Sequence, residues 1–219
     1  MREAAAPITL PASMMRNQVA AVACVLASCG HEVSPLVQPD GEDERLFREG
    51  FLDFEAERFA VAQDEFDEIV TDFPESRRHA EAWVLAGRCR FEQGAYEDAL
   101  ATLTAMRQAH PDSRFEVSAV YYLGRSHAEL ERWVEAEPEM RRVLELDPEG
   151  VFGDNAHYWL GRSLQEQARL PEAQLELERV MAIGPASDVF VDATYYLGRT
   201  RFDMAYYSGA LIALRLARE

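Results

Sequence analysis

Arg88, Arg125, Arg162 and Arg199 recur at intervals of 37 residues, and a tyrosine precedes three of them by four positions: Tyr121, Tyr158 and Tyr195. Phe51 holds the first place in the arginine column, and Phe47 and Val84 hold the first two in the other. A guanidinium presents a planar fork of donors that can grip a carboxylate through two parallel bonds, while a phenol offers a rigid ring with a polar tip. Four residues is about one helical turn, so on a helix each cation and its ring share a face. A stripe of that kind has the chemistry of a groove for an extended or helical peptide bearing carboxylates. A second reading stands beside it. Glu92, Glu129, Glu166 and Asp203 follow the arginines at i+4. Each arginine can therefore pair along its own helix, a contact worth about 0.2–0.5 kcal/mol. At the level of sequence both readings stay open.

The other reactive side chains assemble into no catalytic set. His31, His79, His110, His127 and His157 are scattered, and the sequence holds no HExxH, no Cys/His metal spacing and no glycine-rich phosphate loop. His127 and Cys89 fall on neighbouring inward columns of different repeats, which argues against a nucleophile–base pair. Carboxylates are so abundant that no single pair of them is informative. The expectation is a protein that is not an enzyme and carries no cofactor or metal.

The columns that carry the arginines belong to a longer pattern. Gly50, Gly87, Gly124, Gly161 and Gly198 share the 37-residue period, as do Ala62, Ala99, Ala136, Ala173 and Ala210, and Pro74, Pro111, Pro148 and Pro185. Each column has a physical reason in a helical hairpin. Glycine on the first helix lets the second helix come close, at a cost of about 1 kcal/mol against alanine in helix propensity. Alanine marks the same crossing on the second helix. Proline ends that helix, because it cannot continue the hydrogen-bond ladder. Phe66, Leu103, Met140, Leu177 and Leu214 fill the same face four residues after the alanines.

This pattern resembles the tetratricopeptide (TPR) consensus W-x2-L-G-x2-Y…A-x3-F…P with three residues added to its usual 34. Trp83, Leu123–Gly124 and Leu160–Gly161 stand where that consensus wants them. The resemblance implies an all-α fold over residues 43–219, a right-handed α-solenoid of about five hairpins and ten helices. It also implies a concave groove lined by the first helices, into which the residue after each Gly points. The peptide reading above then resembles the carboxylate clamp of chaperone-binding TPR domains. Pro138 falls within the second helix of the third repeat and is expected to kink it or move its start. Glu49 precedes Gly50 in place of an apolar residue, so the first repeat is expected to act as a polar cap. The last repeat stops after its second helix; its apolar face, with Ala210, Leu214 and Ala217, suits a partner protein or a homo-oligomer.

The wording of the repeats narrows the resemblance. Residues 154–162, DNAHYWLGR, resemble the NAxYWLG segment of the TPR domain in the Tol–Pal-associated cell-division coordinator, and Phe73–Ser76 and His110–Ser113 resemble its YPxS turns. The TPR lipoprotein of the outer-membrane β-barrel assembly machinery is written in a similar style.

The N-terminal stretch has a different character. Arg16 precedes an apolar run from Val19 to Ala27, too short to span a bilayer and of signal-peptide length. It ends in Leu26-Ala27-Ser28-Cys29, which resembles the lipobox of bacterial lipoproteins and implies lipidation of Cys29, with Gly30 after it favouring the outer membrane. The competing reading is a buried apolar helix. Residues 1–28 are read as a signal peptide; 1–13, with Pro7 and Pro11, fit a start assigned too early, with Met14 or Met15 in its place. Residues 29–42 are read as a lipidated tether.

The formal charge is −17, and all 22 basic residues are arginine. A surface so acidic argues against nucleic-acid binding, which depends on neutralising phosphates, and favours neutral or basic protein partners. The sequence therefore points to a periplasmic scaffold tethered to the outer membrane, holding proteins or peptides of the cell envelope in β-barrel assembly, Tol–Pal and peptidoglycan coordination, or secretin piloting. A module that positions a cell-wall enzyme and a cytosolic TPR adaptor are the alternatives.

Overall fold

Nine stretches of 14 residues and one of 10 place apolar side chains on one helical face, and each folds as a helix in the computed structural model, which describes residues 41–218. Residues 1–40, which hold the stretch read as a signal peptide, Cys29 and most of the expected tether, lie outside the described residues. The helices are α1 (Glu42–Glu55), α2 (Phe59–Asp72), α3 (His79–Glu92), α4 (Tyr96–Ala109), α5 (Glu116–Glu129), α6 (Trp133–Leu146), α7 (Gly153–Glu166), α8 (Leu170–Ile183), α9 (Phe190–Asp203) and α10 (Tyr207–Leu216). No strand occurs among the described residues. Consecutive helices pack as antiparallel pairs, giving five stacked hairpins.

Two recurring turns set this geometry. Inside each hairpin the first helix stops at a left-handed residue, successively Glu57, Gly94, Glu131, Ala168 and Ala205, with φ between 56° and 77°. The next N–H reaches back five residues, as Ala95 does to the Arg90 carbonyl at 2.9 Å, which satisfies carbonyls the helix end would leave bare. Between hairpins, Pro74, Pro111, Pro148 and Pro185 directly follow the caps of α2, α4, α6 and α8 and stop those helices.

The glycine column shows why the two helices of a hairpin can approach so closely. A Cβ at Gly87 would lie 2.6 Å from Leu103 Cδ2, one at Gly161 would lie 2.7 Å from Leu177 Cγ, and one at Gly198 would lie 2.5 Å from Leu214 Cγ. The residue that fills each space is the one four places after the repeat's alanine. Ala62, Ala99, Ala136 and Ala173 are themselves fully buried. Phe66, Leu103, Met140 and Leu177 have no exposed surface either, and Leu214 in the last hairpin is 37% exposed.

Pro138 does not move the start of α6. The helix keeps the 14-residue frame of its neighbours, and the Ala136 N–H bonds the Arg132 carbonyl at 2.9 Å as in an uninterrupted first turn. Pro138 is the sixth residue after that N-cap, so its missing N–H removes only the bond to the Val134 carbonyl, and its exposed position keeps the ring out of the core. In the first hairpin, the polar character expected at α1 takes the form of Glu42, Asp43 and Glu44 in the first turn and Arg45 between Glu42 and Glu49.

Candidate functional site: the inner helical wall

The first helices α3, α5, α7 and α9 touch one another in succession as well as their own hairpin partners, so they form the inner wall of the stack. The arginine column runs along this wall. Arg88 is 4.5 Å from the ring centroid of Phe54 and 5.4 Å from Tyr122; Arg125 is 4.9 Å from Phe91 and 4.4 Å from Trp159; Arg162 is 4.4 Å from Tyr196. In each case the outer ring belongs to the following hairpin, 34 residues on. Arg162 has no ring at the position of Phe54 and Phe91, because Ala128 stands there. Trp133 and Trp159, at 5.3 and 5.2 Å, serve it instead. Each guanidinium is thus held between π-faces, where the ring quadrupole favours a cation.

The edges of the guanidinium groups are treated differently from their faces. Arg88 Nε lies 3.6 Å from Glu92, and Arg125 Nη2 donates to Glu129 at 3.2 Å, so the i+4 pairing forms on these two helices. The Nε atoms of Arg125 and Arg162 are buried and make no hydrogen bond among the described residues, and the buried Arg88 Nε has only its longer contact with Glu92. Arg125 also begins a polar chain across three hairpins. Its Nη1 donates to the Tyr121 hydroxyl at 3.2 Å, Tyr121 donates to Asn155 Oδ1 at 3.3 Å, and Asn155 Nδ2 donates to Asp188 Oδ1 at 3.0 Å. Beside this chain lies a cavity of about 280 Å³, walled by Phe91, Tyr122, Phe152 and Val151.

The aromatic column lies under the arginines. Phe47, Val84, Tyr121 and Tyr158 are only 4–7% exposed, with Tyr121 stacked on Phe152 at 4.2 Å. Burial pushes the Tyr158 hydroxyl up to about 12 and raises that of Tyr121, which keeps both in the donating form. Tyr195, in the last hairpin, is 45% exposed, and Phe51 at the other end is exposed as well. The surface offered to a ligand between these ends therefore consists of guanidinium edges and carboxylates, with rings reached only through the cavity. Tyr122, Trp159 and Tyr196 are core residues that also wall the cations. Their part in the site could have been found from the constant 34-residue offset. Asn155 and Asp188 carried no such signal.

The remaining reactive groups are structural in their placement. Cys89 is fully buried, and burial pushes its thiol up to about 12, so it is no thiolate at neutral pH. His157 Nδ1 lies 2.7 Å from Glu176 Oε2 inside the fourth hairpin, and His79 is bonded to His110 at 2.8 Å. No group of three or more His, Cys, Asp or Glu residues suited to a metal occurs among the described residues, and no helix among them is long and apolar enough to cross a membrane.

A tetratricopeptide-repeat family model matches residues 47–114. The fold is a TPR-type solenoid. Among solved structures, residues 41 to the end of MamA from Desulfovibrio magneticus RS-1 superpose with a TM-score of 0.69 at 15% identity, covering 82% of this chain and 96% of that one. MamA from AMB-1 gives 0.65 at 18% identity, with 82% and 92% covered, and MamA from MSR-1 gives 0.65 at 18%, with 82% and 96% covered. At such identities the likeness concerns the fold. No curated protein matches at the level of sequence.

Proposed function

We propose that the protein is a scaffold that holds a protein or peptide partner along its inner helical wall, and that Cys29 tethers it by lipid to the periplasmic face of the outer membrane. The observation that supports the scaffold reading is the row of fixed guanidinium groups on α3, α5 and α7. Their faces are locked between rings of neighbouring hairpins and their edges are turned to the wall, so recognition groups are pre-ordered and binding need not immobilise them. Partners in envelope assembly fit the tether: β-barrel assembly, Tol–Pal and peptidoglycan coordination, or secretin piloting. The lipobox-like Leu26–Cys29 supports that part of the reading.

Two experiments test it. A photocrosslinking residue placed at Arg162 or Arg199 should capture a defined partner that the same residue at Glu75 or Leu175, away from the wall, does not; equal capture from both sets would sink the groove. Palmitate labelling should mark the wild type and spare Cys29→Ala. An unlabelled wild type would remove the tether and leave the scaffold untouched.

A further inference from the structure

Contacts between successive hairpins change character along the stack. In the turn before α3, Arg77 donates to Glu44 of the preceding first helix at 2.7 Å, and one repeat on Arg114 lies 4.0 Å from Glu81. At the next contact the same two places hold Val151 and Ser118, and at the last they hold Asp188 and Asn155. The arginine–glutamate pair is dropped once and then replaced by a turn carboxylate opposite an amide. Asp188 accepts from the Asn155 amide at 3.0 Å and enters no ion pair among the described residues. A carboxylate stands unmatched where the earlier hairpins place a cation.

Both substituted turn residues, Val151 and Asp188, line the cavity beside Arg125, as does Glu92, whose own arginine approaches no closer than 3.6 Å. Arg125, the cation in that lining, is already engaged: Glu129 lies at 3.2 Å, the Tyr121 hydroxyl at 3.2 Å, and rings cover its faces. An entering carboxylate would meet two carboxylates and a guanidinium whose charge is matched. An entering cation would meet two loosely held carboxylates, while Phe91, Tyr122 and Phe152 would wall its aliphatic stem. A volume of about 280 Å³ suits one side chain, since small-molecule sites run to roughly 300–1,000 Å³. We propose that this cavity receives a lysine or arginine side chain from a basic segment of a partner protein, whose cation supplies at Asp188 the charge that Arg77 and Arg114 supply at their own turns. The inference rests on the scaffold reading and gives its partner a sign. The net charge of −17 steers such a segment toward the wall, and the guanidinium edges then serve its backbone carbonyls rather than carboxylates.

Fluorescence anisotropy of the full chain tests this with labelled peptides that alternate serine with lysine, glutamine or glutamate, at physiological ionic strength. The lysine peptide should bind and the other two should not. Glu92→Gln/Asp188→Asn should weaken it about tenfold, whereas Glu75→Gln/Asp112→Asn, which removes the same charge from exposed turns, should leave it within about twofold. Phe152→Leu, which changes no charge, should weaken it about threefold. Circular dichroism checks that all three variants stay folded. A glutamate peptide that binds more tightly overturns the proposal. So does a lysine peptide that does not bind, and so does an equal loss in the two charge variants, which would mean diffuse attraction to an acidic surface. Each of these outcomes leaves the scaffold reading standing if photocrosslinking at Arg162 still captures a partner; that reading falls only with the capture.

Discussion

The guanidinium of Arg125 lies 4.4 Å from the centroid of Trp159 and 4.9 Å from that of Phe91, so a cation of the third hairpin is clasped by rings of the second and fourth. A solenoid is held together by contacts between neighbouring repeats. Here one side chain couples three of them.

That coupling should be measurable. In a double-mutant cycle, Arg125→Met and Trp159→Leu should show an interaction of about 1 kcal/mol, within the range for cations partly withdrawn from water over a ring. The cycle compares urea midpoints of single and double variants. Additivity within about 0.3 kcal/mol would mean that the cation and ring merely pack. The pair of Arg88 with Glu92, at 3.6 Å and with both side chains about a third exposed, should couple by less than half as much.

The left-handed turn residues give a prediction of opposite sign for a single type of change. Glu57, Glu131, Ala168 and Ala205 occupy φ of 56–61°, where a Cβ crowds the following carbonyl, and only Gly94 in this column escapes that cost. Ala168→Gly should therefore stabilise the protein by about 1 kcal/mol, and Gly94→Ala should destabilise it by about as much. Thermal midpoints of the two variants moving in the same direction would contradict this.

Much of the fold was legible because its determinants are single residues repeated in register. Gly124 and Met140 predict a close crossing, and that crossing is found; Pro111 predicts a helix end, and α4 stops two residues before it. The site was legible only in part. The arginine column could be placed on the inner wall from its position after each glycine, but the burial of Tyr121 and Tyr158 could not. Whether a residue four places before an arginine faces the groove or the next hairpin depends on how far successive hairpins rotate, and that rotation is what brings Phe152, from the N-cap column of Phe115 and Val189, over Tyr121. What Pro138 imposes on the start of α6 was not legible for a related reason. Its cost depends on how many residues separate it from the N-cap and whether that face is solvated, and both follow from where α6 starts.

The glycine column allows a test in which two effects compete. Alanine is worth about 1 kcal/mol over glycine in a helix interior, and overpacking costs about 1–3 kcal/mol. At Gly124 the nearest obstructing atom is Met140 Cε at 2.6 Å, the free end of a flexible chain, with Glu139 Cβ at 3.1 Å beside it. Gly124→Ala should thus cost about 0.5–1 kcal/mol, less than the change at Gly161, since only the Glu139 contact is fixed to the backbone. At Gly161 the new methyl would meet the branched carbon of Leu177 at 2.7 Å, with the Ala173 carbonyl at 3.4 Å behind it. Gly161→Ala should be destabilising by about 1–2 kcal/mol. Chemical denaturation that ranks the two variants in the reverse order would show that backbone shifts, not side-chain flexibility, absorb the change.

Acid should weaken the fold before its carboxylates titrate. His79 Nε2 lies 3.1 Å from the Val70 carbonyl and so carries a proton, which leaves its Nδ1 to accept the bond from His110 Nε2 at 2.8 Å. Burial, with His79 beside it, holds His110 below the ordinary 6.5, and burial does the same to His127. Both are more readily protonated in the unfolded chain than in the folded one. Below pH 6.5 the unfolded state binds more protons, so stability is complete above that value and falls as pH drops through it. Glu139 works in the other direction, since burial raises its carboxyl above 4.5 and its protonation in the folded state offsets part of the loss in acid. The urea midpoint should therefore decline from pH 7.5 to 5.5, and the His110→Gln/His127→Gln double variant should flatten the decline. An unchanged slope in the double variant would assign the acid sensitivity to other groups.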